Sequence, residues 1–263
     1  MKFEGKIVNI LQKKEMEMLL KLKSILEAND IPFCLAWGSL LGCARHGGFI
    51  PWDDDIDIHI DGKYYKKLKK VFSEQDTGDL VLQDGLSTPN YPFCFPKIVD
   101  KKSLLVEKEL EHLDYKCGIY IDVFLIFGVP DRKIIRFFAK FFRYLKYAVL
   151  RARYNSRGLL HFLSLFFSTK RIHKTLYRIY CKGIGNSKFC CEPTTFDKKV
   201  YIDSNIFKNF KYKEFEDNLM PVPYDFDSYL RHFYGNYLEL PPIENRVSNH
   251  HISRLIIDGE EII

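Results

Sequence analysis

The sequence lacks most features that mark secreted or membrane-spanning proteins. Its 263 residues include seven cysteines, an odd number, and no Cys-x-x-Cys pair. The N-terminus leads directly into charged residues, without the apolar stretch and cleavage site of a signal peptide. No uninterrupted apolar run reaches the roughly 18 residues that a spanning helix needs. We therefore expect a cytoplasmic chain with reduced thiols.

Acidic residues are missing from one long stretch. Between Arg132 and Cys191 there is no Asp or Glu, whereas the same stretch contains fifteen Lys and Arg residues. The rest of the chain has 25 basic and 34 acidic residues, a net charge of −9, although the whole chain has a net charge of +6. The charge pattern therefore predicts an acidic body with one basic insert.

The basic insert has apolar residues at helical spacing. This stripe comprises Ile134, Phe137, Phe138, Phe141, Phe142, Leu145, Ala148 and Val149, and Arg136, Lys140, Arg143 and Lys146 form a neighbouring basic stripe. A second run, residues 159–167, is apolar nearly all round. Two interpretations carry equal weight: peripheral contact with an anionic membrane, at the inner face of the cytoplasmic membrane, or a helical subdomain whose Phe stripe packs on the body. Nucleic-acid binding is not expected, because no helix-turn-helix, RNP-type or zinc-finger signature is present.

The periodicities elsewhere predict a mixed α/β fold. Helices are predicted over residues 6–29, 40–46, 63–72 and 223–234, and strands over 31–37, 55–61, 80–83, 94–99, 103–106 and 118–127. The rest of the C-terminal part is interpreted as irregular. We expect a small mixed sheet flanked by helices, an α+β arrangement. We expect the chain to be divided into a catalytic core over residues 1–130, the insert over 131–191 and a C-terminal segment over 192–263. The C-terminal segment is expected to pack on the core at the acceptor side.

Aspartates are concentrated at the start of one predicted strand. They are Asp53, Asp54, Asp55 and Asp57. Asp55 and Asp57 share a strand face, so both carboxylates can bind one divalent cation or bridge two. The preceding Gly38-Ser39 turn offers amides and a hydroxyl to a phosphate. This strand, turn and helix followed by Asp-x-Asp occurs in the nucleotidyltransferase superfamily, although Asp-x-Asp alone also occurs in solvated loops and in metal-using glycosyltransferases.

The segment over residues 37–58 resembles the signature of the LicD family, which includes bacterial phosphocholine transferases and animal fukutin-related proteins. From Gly38 to Asp57 it reads Gly-Ser-Leu-Leu-Gly-Cys-Ala-Arg-His-Gly-Gly-Phe-Ile-Pro-Trp-Asp-Asp-Asp-Ile-Asp. Further similarity occurs at residues 95–98, 118–124 and 234–250. The resemblance covers about residues 6–127 and 220–252, so the basic insert is least covered. Asn236 departs from the family pattern, which commonly has an acid there.

The resemblance implies a nucleotidyltransferase-like fold with a metal site. Asp55 and Asp57 match the metal-binding pair, and Asp122 matches a third carboxylate on a neighbouring strand. The sequence separately favours a metal site at Asp122, because it is the only acid in an apolar run, where an unpaired carboxylate is costly to bury. An ion pair or a strand-end cap would also account for it. We expect Asp55, Asp57 and Asp122 to form the catalytic set and to bind Mg²⁺ or Mn²⁺.

Further residues are expected to bind substrate. Gly38 and Ser39 are candidates to cradle a phosphate, although the Ser39 hydroxyl would also serve as a helix N-cap. Arg45 and Lys97 are candidates to neutralise phosphate charge, with surface salt bridges as the alternative. Asp53 or Asp54 is expected to orient Arg45 or its loop. His250 is the last candidate, as a base or an acceptor contact.

The activity that the resemblance implies is transfer of phosphocholine, or a related phospho-alcohol, from CDP-choline or a similar CDP-alcohol. The acceptor would be a hydroxyl of a cell-surface glycan precursor of the lipopolysaccharide or teichoic acid type, which can be lipid-linked. A second interpretation keeps the fold and moves a nucleoside monophosphate from a nucleoside triphosphate to a small substrate. A third is a catalytically inactive scaffold at the membrane surface.

Overall fold

A computed structural model describes residues 2–130, 132–155, 158–180, 183–193, 201–248 and 250–263. Within these ranges the helices are α1 (Lys2–Ala28), α2 (Trp37–Arg45), α3 (Tyr65–Glu74), α4 (Lys133–Asn155), α5 (Leu159–Leu165), α6 (Thr169–Ile179) and α7 (Phe226–Tyr234). The strands are β1 (Phe33–Leu35), β2 (Ile56–Asp61), β3 (Leu80–Gln83), β4 (Lys97–Asp100), β5 (Ser103–Glu107), β6 (Tyr120–Gly128), β7 (Phe189–Cys191), β8 (Ile202–Asp203), β9 (Phe210–Phe215), β10 (Asn218–Pro223), β11 (Ile252–Ile257) and β12 (Glu260–Glu261). The predicted α+β class is confirmed.

A mixed sheet forms the centre of the protein. Its strands lie in the order β1-β2-β6-β4-β3, and β7 and β8 extend it from β6. β2 and β6 are parallel, whereas β1, β4 and β3 are antiparallel to their neighbours. The three isoleucines of β2 are fully buried, as their alternation predicts. The long helix α1 packs on this sheet through leucines at helical spacing, including Leu11, Leu19 and Leu22.

The helix α2 begins earlier than the sequence predicts. The predicted strand continues through Trp37 and the predicted helix begins at Leu40, but α2 already includes Trp37, whose φ of 37° is left-handed. Such a backbone is rare for a bulky residue. The Trp37 ring packs against Phe233 and Tyr229, with centroid distances of 4.5 and 6.0 Å, which holds this bend. Gly38 and Ser39 consequently lie in the first turn of α2 and not in a separate turn.

The C-terminal part contains strands where an irregular segment was predicted. β9 and β10 form an antiparallel hairpin, and β11 pairs with β5. The sequence did not predict this hairpin because β10 contains Pro221 and Pro223, and proline is unfavourable in a central strand. They are tolerated here because, among the strands that the structure describes, β10 pairs only with β9, in a two-stranded ribbon. The prediction of an irregular segment was therefore wrong for residues 210–223 and 252–257.

The insert folds as the three helices α4, α5 and α6, and the face of α4 that packs inward is unexpected. Arg143 and Lys146 are buried, whereas Phe137, Phe138 and Phe141 are exposed. The interpretation that the Phe stripe packs on the body therefore holds only in part: Phe142, Leu145 and Val149 lie against the core, whereas the stripe residues before Phe142 are exposed. Only the later part of the stripe, such as Val149, is buried. Among the residues described, no helix is both long enough and apolar enough to span a bilayer.

Candidate active site

Carboxylates from two adjacent strands converge near the starts of β2 and β6. Asp57 lies directly opposite Asp122 in the parallel register of the two strands. Asp55 immediately precedes β2, and one carboxylate oxygen from each of Asp55, Asp57 and Asp122 lies within 4.8 Å of the others. Asp57 and Asp122 are buried and Asp55 is partly buried. The structure thus brings together the three residues predicted to bind a cation.

A second group of acids adjoins this cluster. Asp53, Asp54 and Asp55 also have carboxylate oxygens within 4.8 Å of one another. Burial, as the main cause, raises the pKa of Asp53 to about 8 and that of Asp55 to about 6. Asp54 adds to both shifts by charge repulsion, whereas His250 opposes them. Such a set of oxygen donors suits a hard dication, which relieves the repulsion among the carboxylates.

Lys97 is paired with one of the three carboxylates. It lies opposite Asp122 in the antiparallel register of β4 and β6, and its Nζ is 2.6 Å from Asp122 Oδ1. The ammonium group also lies 3.2 Å from the ring centroid of Tyr120 and 4.2 Å from that of Phe93. Burial raises the pKa of Asp122, and the charge of Lys97 opposes this shift. The ion pair keeps the Asp122 carboxylate charged in a dry site; contact of Lys97 with phosphate stays a prediction.

Gly38 and Ser39 both face Asp57. The Gly38 N–H donates to Asp57 Oδ2 over 3.3 Å, and the Ser39 hydroxyl accepts the Asp57 N–H over 2.8 Å. Ser39 is buried and lies inside α2, so its hydroxyl is not an N-cap. Burial and nearby carboxylates raise the pKa of Asp57 well above its ordinary value, and the Gly38 hydrogen bond opposes this. The first turn of α2 therefore positions Asp57, and its contact with a phosphate stays a prediction.

Arg45 joins α2 to the C-terminal part of the chain. Its Nη1 donates to the carbonyl oxygens of Tyr237 and Glu239, over 3.0 and 3.3 Å. Asp53 or Asp54 was expected to orient Arg45 or its loop; the carboxylate oxygens of Asp54 contact Ser248 and His250, and an orienting role for either aspartate stays a prediction. Whether Arg45 binds phosphate stays a prediction.

His250 lies beside the acid cluster, paired with Asp54. Its Nδ1 is 3.0 Å from Asp54 Oδ1, and the Ser248 hydroxyl donates to Asp54 Oδ2 over 2.6 Å. Burial alone would lower the pKa of His250, but the hydrogen bond to Asp54 and the charge of Asp55 raise it to about 9. The contact with Asp54 therefore favours the protonated imidazole, and the role of His250 as a base or an acceptor contact stays a prediction.

Glu15 is an acid of the site that the sequence analysis missed. It lies on the apolar face of α1, four residues after Leu11, and is buried. Burial and the charges of Asp55 and Asp54 raise its pKa well above the ordinary value. Among the described residues, its Oε2 has no hydrogen-bond partner. An acid within an otherwise apolar helical stripe was the available signal.

A cavity of about 780 Å³ adjoins the acid cluster. Asp54 and His250 form part of its wall, together with Trp52, Lys108 and Arg246. The Arg246 guanidinium lies 5.6 Å from the centroid of the Trp52 ring. The cavity therefore combines cations with an aromatic ring beside carboxylates. Its residues come from distant parts of the chain, so no local pattern identified the cavity.

Replacing Gly38 by Ala is expected to impair the site without unfolding the protein. A Cβ at this position would lie 2.6 Å from Asp53 Oδ2, so the Asp53 side chain must move. Because Asp53 belongs to the acid cluster, we expect metal affinity to fall about tenfold or more, measured by calorimetry with Mn²⁺. Gly185→Ala is the matched control, since its Cβ would meet nothing within 4 Å. Unchanged Mn²⁺ affinity in Gly38→Ala would exclude Asp53 from the site.

Comparison with known proteins shows which class of protein the chain is similar to. Residues 30–111 match the family model described as LicD/FKTN/FKRP, nucleotidyltransferase domain. Over 252 residues, 89% of this chain and 92% of the relative, the sequence is 28% identical to lipopolysaccharide cholinephosphotransferase LicD of Haemophilus influenzae. A segment of 36 residues, 7% of the relative, is 56% identical to ribitol 5-phosphate transferase FKRP of Homo sapiens. The chain is thus similar over residues 30–111 to a nucleotidyltransferase domain, and this range includes two of the convergent carboxylates, Asp55 and Asp57.

More narrowly, residues 30–111 are similar to the LicD family, which confirms the family resemblance seen in the sequence. The matched range includes Asp55, Asp57 and Lys97, whereas Asp122 and His250 lie beyond it. The similarity to the Haemophilus influenzae protein extends over most of the chain.

Proposed function

We propose that the protein is a phosphotransferase that moves phosphocholine, or a related phospho-alcohol, from a CDP-activated donor to a hydroxyl of a cell-surface glycan precursor. The observation that carries the proposal is the convergence of carboxylate oxygens of Asp55, Asp57 and Asp122 within 4.8 Å, where Asp55 and Asp57 lie inside the range that matches the family model. The proposal is supported by similarity over most of the chain to a lipopolysaccharide cholinephosphotransferase. The second relative is also named as a transferase of a phosphorylated alcohol.

In this proposal the three carboxylates hold Mg²⁺ or Mn²⁺. The residues fit such a cation, because all three donors are oxygen atoms and their crowding is unfavourable without a positive charge. A bound dication supplies charge neutralisation at the diphosphate of the donor. Gly38 and Ser39 fix the backbone and carboxylate of Asp57, so that its orientation is set before any ligand binds.

The reaction would form a bond between the acceptor oxygen and the phosphorus of the phospho-alcohol, while the bond from that phosphorus to CMP breaks. The hydroxyl proton would pass to a carboxylate. Asp122 is less suited to this role, because its Oδ1 accepts a hydrogen bond from Lys97. We favour Asp55, which is the least buried of the three. His250, which is paired with Asp54, would stabilise negative charge on the phosphates.

The cavity beside Asp54 is the site that we propose for the donor. Lys108, Arg246 and His250 provide positive charge for its phosphates, and Trp52 provides a ring on which a base can stack. The cavity volume of about 780 Å³ is within the usual range for sites that hold a small organic ligand.

A transfer assay with purified protein tests the proposal. The reaction contains Mg²⁺, CDP-choline labelled in its methyl groups, and lipopolysaccharide that lacks phosphocholine. We expect label on the acceptor and one CMP released for each group transferred, both detected by mass spectrometry. Omission of Mg²⁺ should abolish both products, and Mn²⁺ should restore them. A parallel reaction with CDP-ribitol tests a different phospho-alcohol.

Other outcomes would decide against this proposal. Attachment of a nucleoside monophosphate from a triphosphate would favour nucleotidyl transfer. An inactive scaffold is favoured if CDP-choline and CDP-ribitol both remain intact and calorimetry detects no binding of either compound. The Asp57→Asn variant is the negative control for each reaction.

A further inference from the structure

The outward surface of the insert exposes large apolar side chains. We define the insert face by exposed apolar residues of two helices that pack together: Ile134, Phe137 and Phe141 of α4, Leu159 and Phe162 of α5, and Phe166 directly after α5. Phe137 is 65% exposed, Leu159 71% and Phe166 73%. Single exposed apolar residues are common on proteins, but a concentration of this kind marks an interaction site.

The exposure of these aromatic residues is not explained by a lack of buried positions on α4. Arg143 and Lys146 occupy buried positions on α4, and the Lys146 ammonium donates to the carbonyl oxygen of Cys94. An ordinary surface helix would place its phenylalanines inward and its basic residues in water. The helix therefore places aromatic residues outward at the cost of burying two basic residues, and its outward face suits an apolar medium.

The charges around the insert face indicate which apolar medium this face contacts. Lys133 and Lys140 are exposed within one helical turn of Phe137, and Lys170 and Arg171 are exposed at the start of α6. No acidic residue occurs from residue 132 to 191. Aromatic residues insert at the headgroup boundary of a bilayer, and flanking Lys and Arg attract anionic lipids. The described helices do not reach through a bilayer, so contact would come from one side.

We propose that the insert face docks on the surface of an anionic lipid bilayer. The aromatic side chains of α4 and α5 enter the headgroup boundary, and the neighbouring Lys and Arg side chains contact lipid phosphates. This proposal goes beyond the transfer reaction and does not depend on it, because lipid binding is measured without turnover.

Flotation of the full chain with lipid vesicles tests the proposal. Vesicles contain phosphatidylcholine alone or an equal mixture of phosphatidylcholine and phosphatidylglycerol. We expect the partition coefficient to be at least about tenfold higher on the anionic vesicles and to fall with added salt. Phe137→Ser/Phe141→Ser should lower it about tenfold or more, and Leu159→Ser/Phe166→Ser should do the same for α5.

Matched variants separate the insert face from general effects. Leu219→Ser/Leu238→Ser removes exposed apolar side chains elsewhere and should bind as the wild type does. To test the role of charge, Lys133→Glu/Lys140→Glu should lower the partition coefficient about tenfold or more. The control Lys66→Glu/Lys208→Glu changes the net charge by the same amount at exposed positions elsewhere, and it should have a much smaller effect. Circular dichroism checks that each variant folds.

Three results would overturn the proposal. The first is a wild-type chain that does not float with anionic vesicles at low salt. The second is equal binding by the insert variants and their controls. The third is a wild-type dimer, seen by light scattering, that the Phe137→Ser/Phe141→Ser variant converts to a monomer without any loss of vesicle binding.

Discussion

Replacing Asp57 by Asn is expected to stabilise the metal-free protein while lowering transfer activity at least about a thousandfold. Asp57 is buried beside Asp55 and Asp122, and their charges disfavour its ionised form. An Asn side chain keeps an acceptor for the Gly38 N–H but removes one charge. We expect the free energy of unfolding in chelator to rise by about 1–2 kcal/mol, measured by urea denaturation at neutral pH. Added Mn²⁺ should stabilise the wild type more than the variant.

The pH dependence of the free energy of unfolding provides a second test of Asp57→Asn. The folded-state pKa values of Asp55 and Asp53 are about 6 and about 8, above the ordinary aspartate value of about 3.9. The folded state therefore binds more protons than the unfolded state, and the metal-free wild type should lose stability as pH rises from about 4 to 8. The loss should be smaller in Asp57→Asn, because fewer carboxylates repel.

Asp30→Asn is the control for charge alone, because the Asp30 side chain is 96% exposed. It should leave activity, metal response and pH dependence unchanged. If Asp57→Asn were less stable than the wild type in chelator at neutral pH, the carboxylates would not be mutually repelling. If it kept activity, Asp57 would not belong to the catalytic set.

Replacing Lys97 by Met is expected to destabilise the protein by about 3–5 kcal/mol. The Lys97 ammonium is buried and forms an ion pair of 2.6 Å with Asp122. Without it, the buried Asp122 carboxylate loses its counter-charge while Asp57 remains beside it. The measurement is urea unfolding followed by circular dichroism, in chelator so that a cation does not take the place of the ammonium.

A double variant and a control residue complete this test. Lys97→Met/Asp122→Asn should recover much of the lost stability, because no unpaired charge remains buried, but it should stay inactive. Lys69→Met breaks an ion pair of similar length, 2.8 Å, yet Lys69 is partly exposed and Asp84 keeps its hydrogen bonds from Ser87. We expect a loss of about 1 kcal/mol there. A loss of that size in Lys97→Met, or no recovery in the double variant, would contradict the assigned role of the ion pair.

Much of the framework could be predicted from the sequence. The alternation of Ile56, Ile58 and Ile60 identified β2, because a strand buried on one face has a period of two. The acid within the apolar run of β6 identified Asp122 for a similar reason, since burying an unpaired carboxylate is costly. Local periodicity also identified α1 and α7. These features depend on residues close together in the chain, where sequence order determines geometry.

Tertiary structure decided the partners of these residues. The pairing of Lys97 with Asp122, and of His250 with Asp54, joins segments 25 and 196 residues apart. Sequence spacing does not determine such contacts, because they follow from strand register and from how the C-terminal part returns to the sheet. Lys97 was predicted to neutralise phosphate charge and His250 to serve as a base or an acceptor contact, and the structure adds that each is paired with a carboxylate.

The insert shows most clearly what the sequence determined and what the tertiary structure determined. Sequence alone determined that residues 132–191 are basic, aromatic and helical, because composition and a period near 3.6 are local properties. It could not determine which side of α4 faces the body, since apolar and basic residues both form stripes along this helix. Tertiary packing buried Arg143 and Lys146 and left Phe137 and Phe141 outside. Which stripe is buried depends on the surface that the helix meets, and that surface is built by residues far away in the chain.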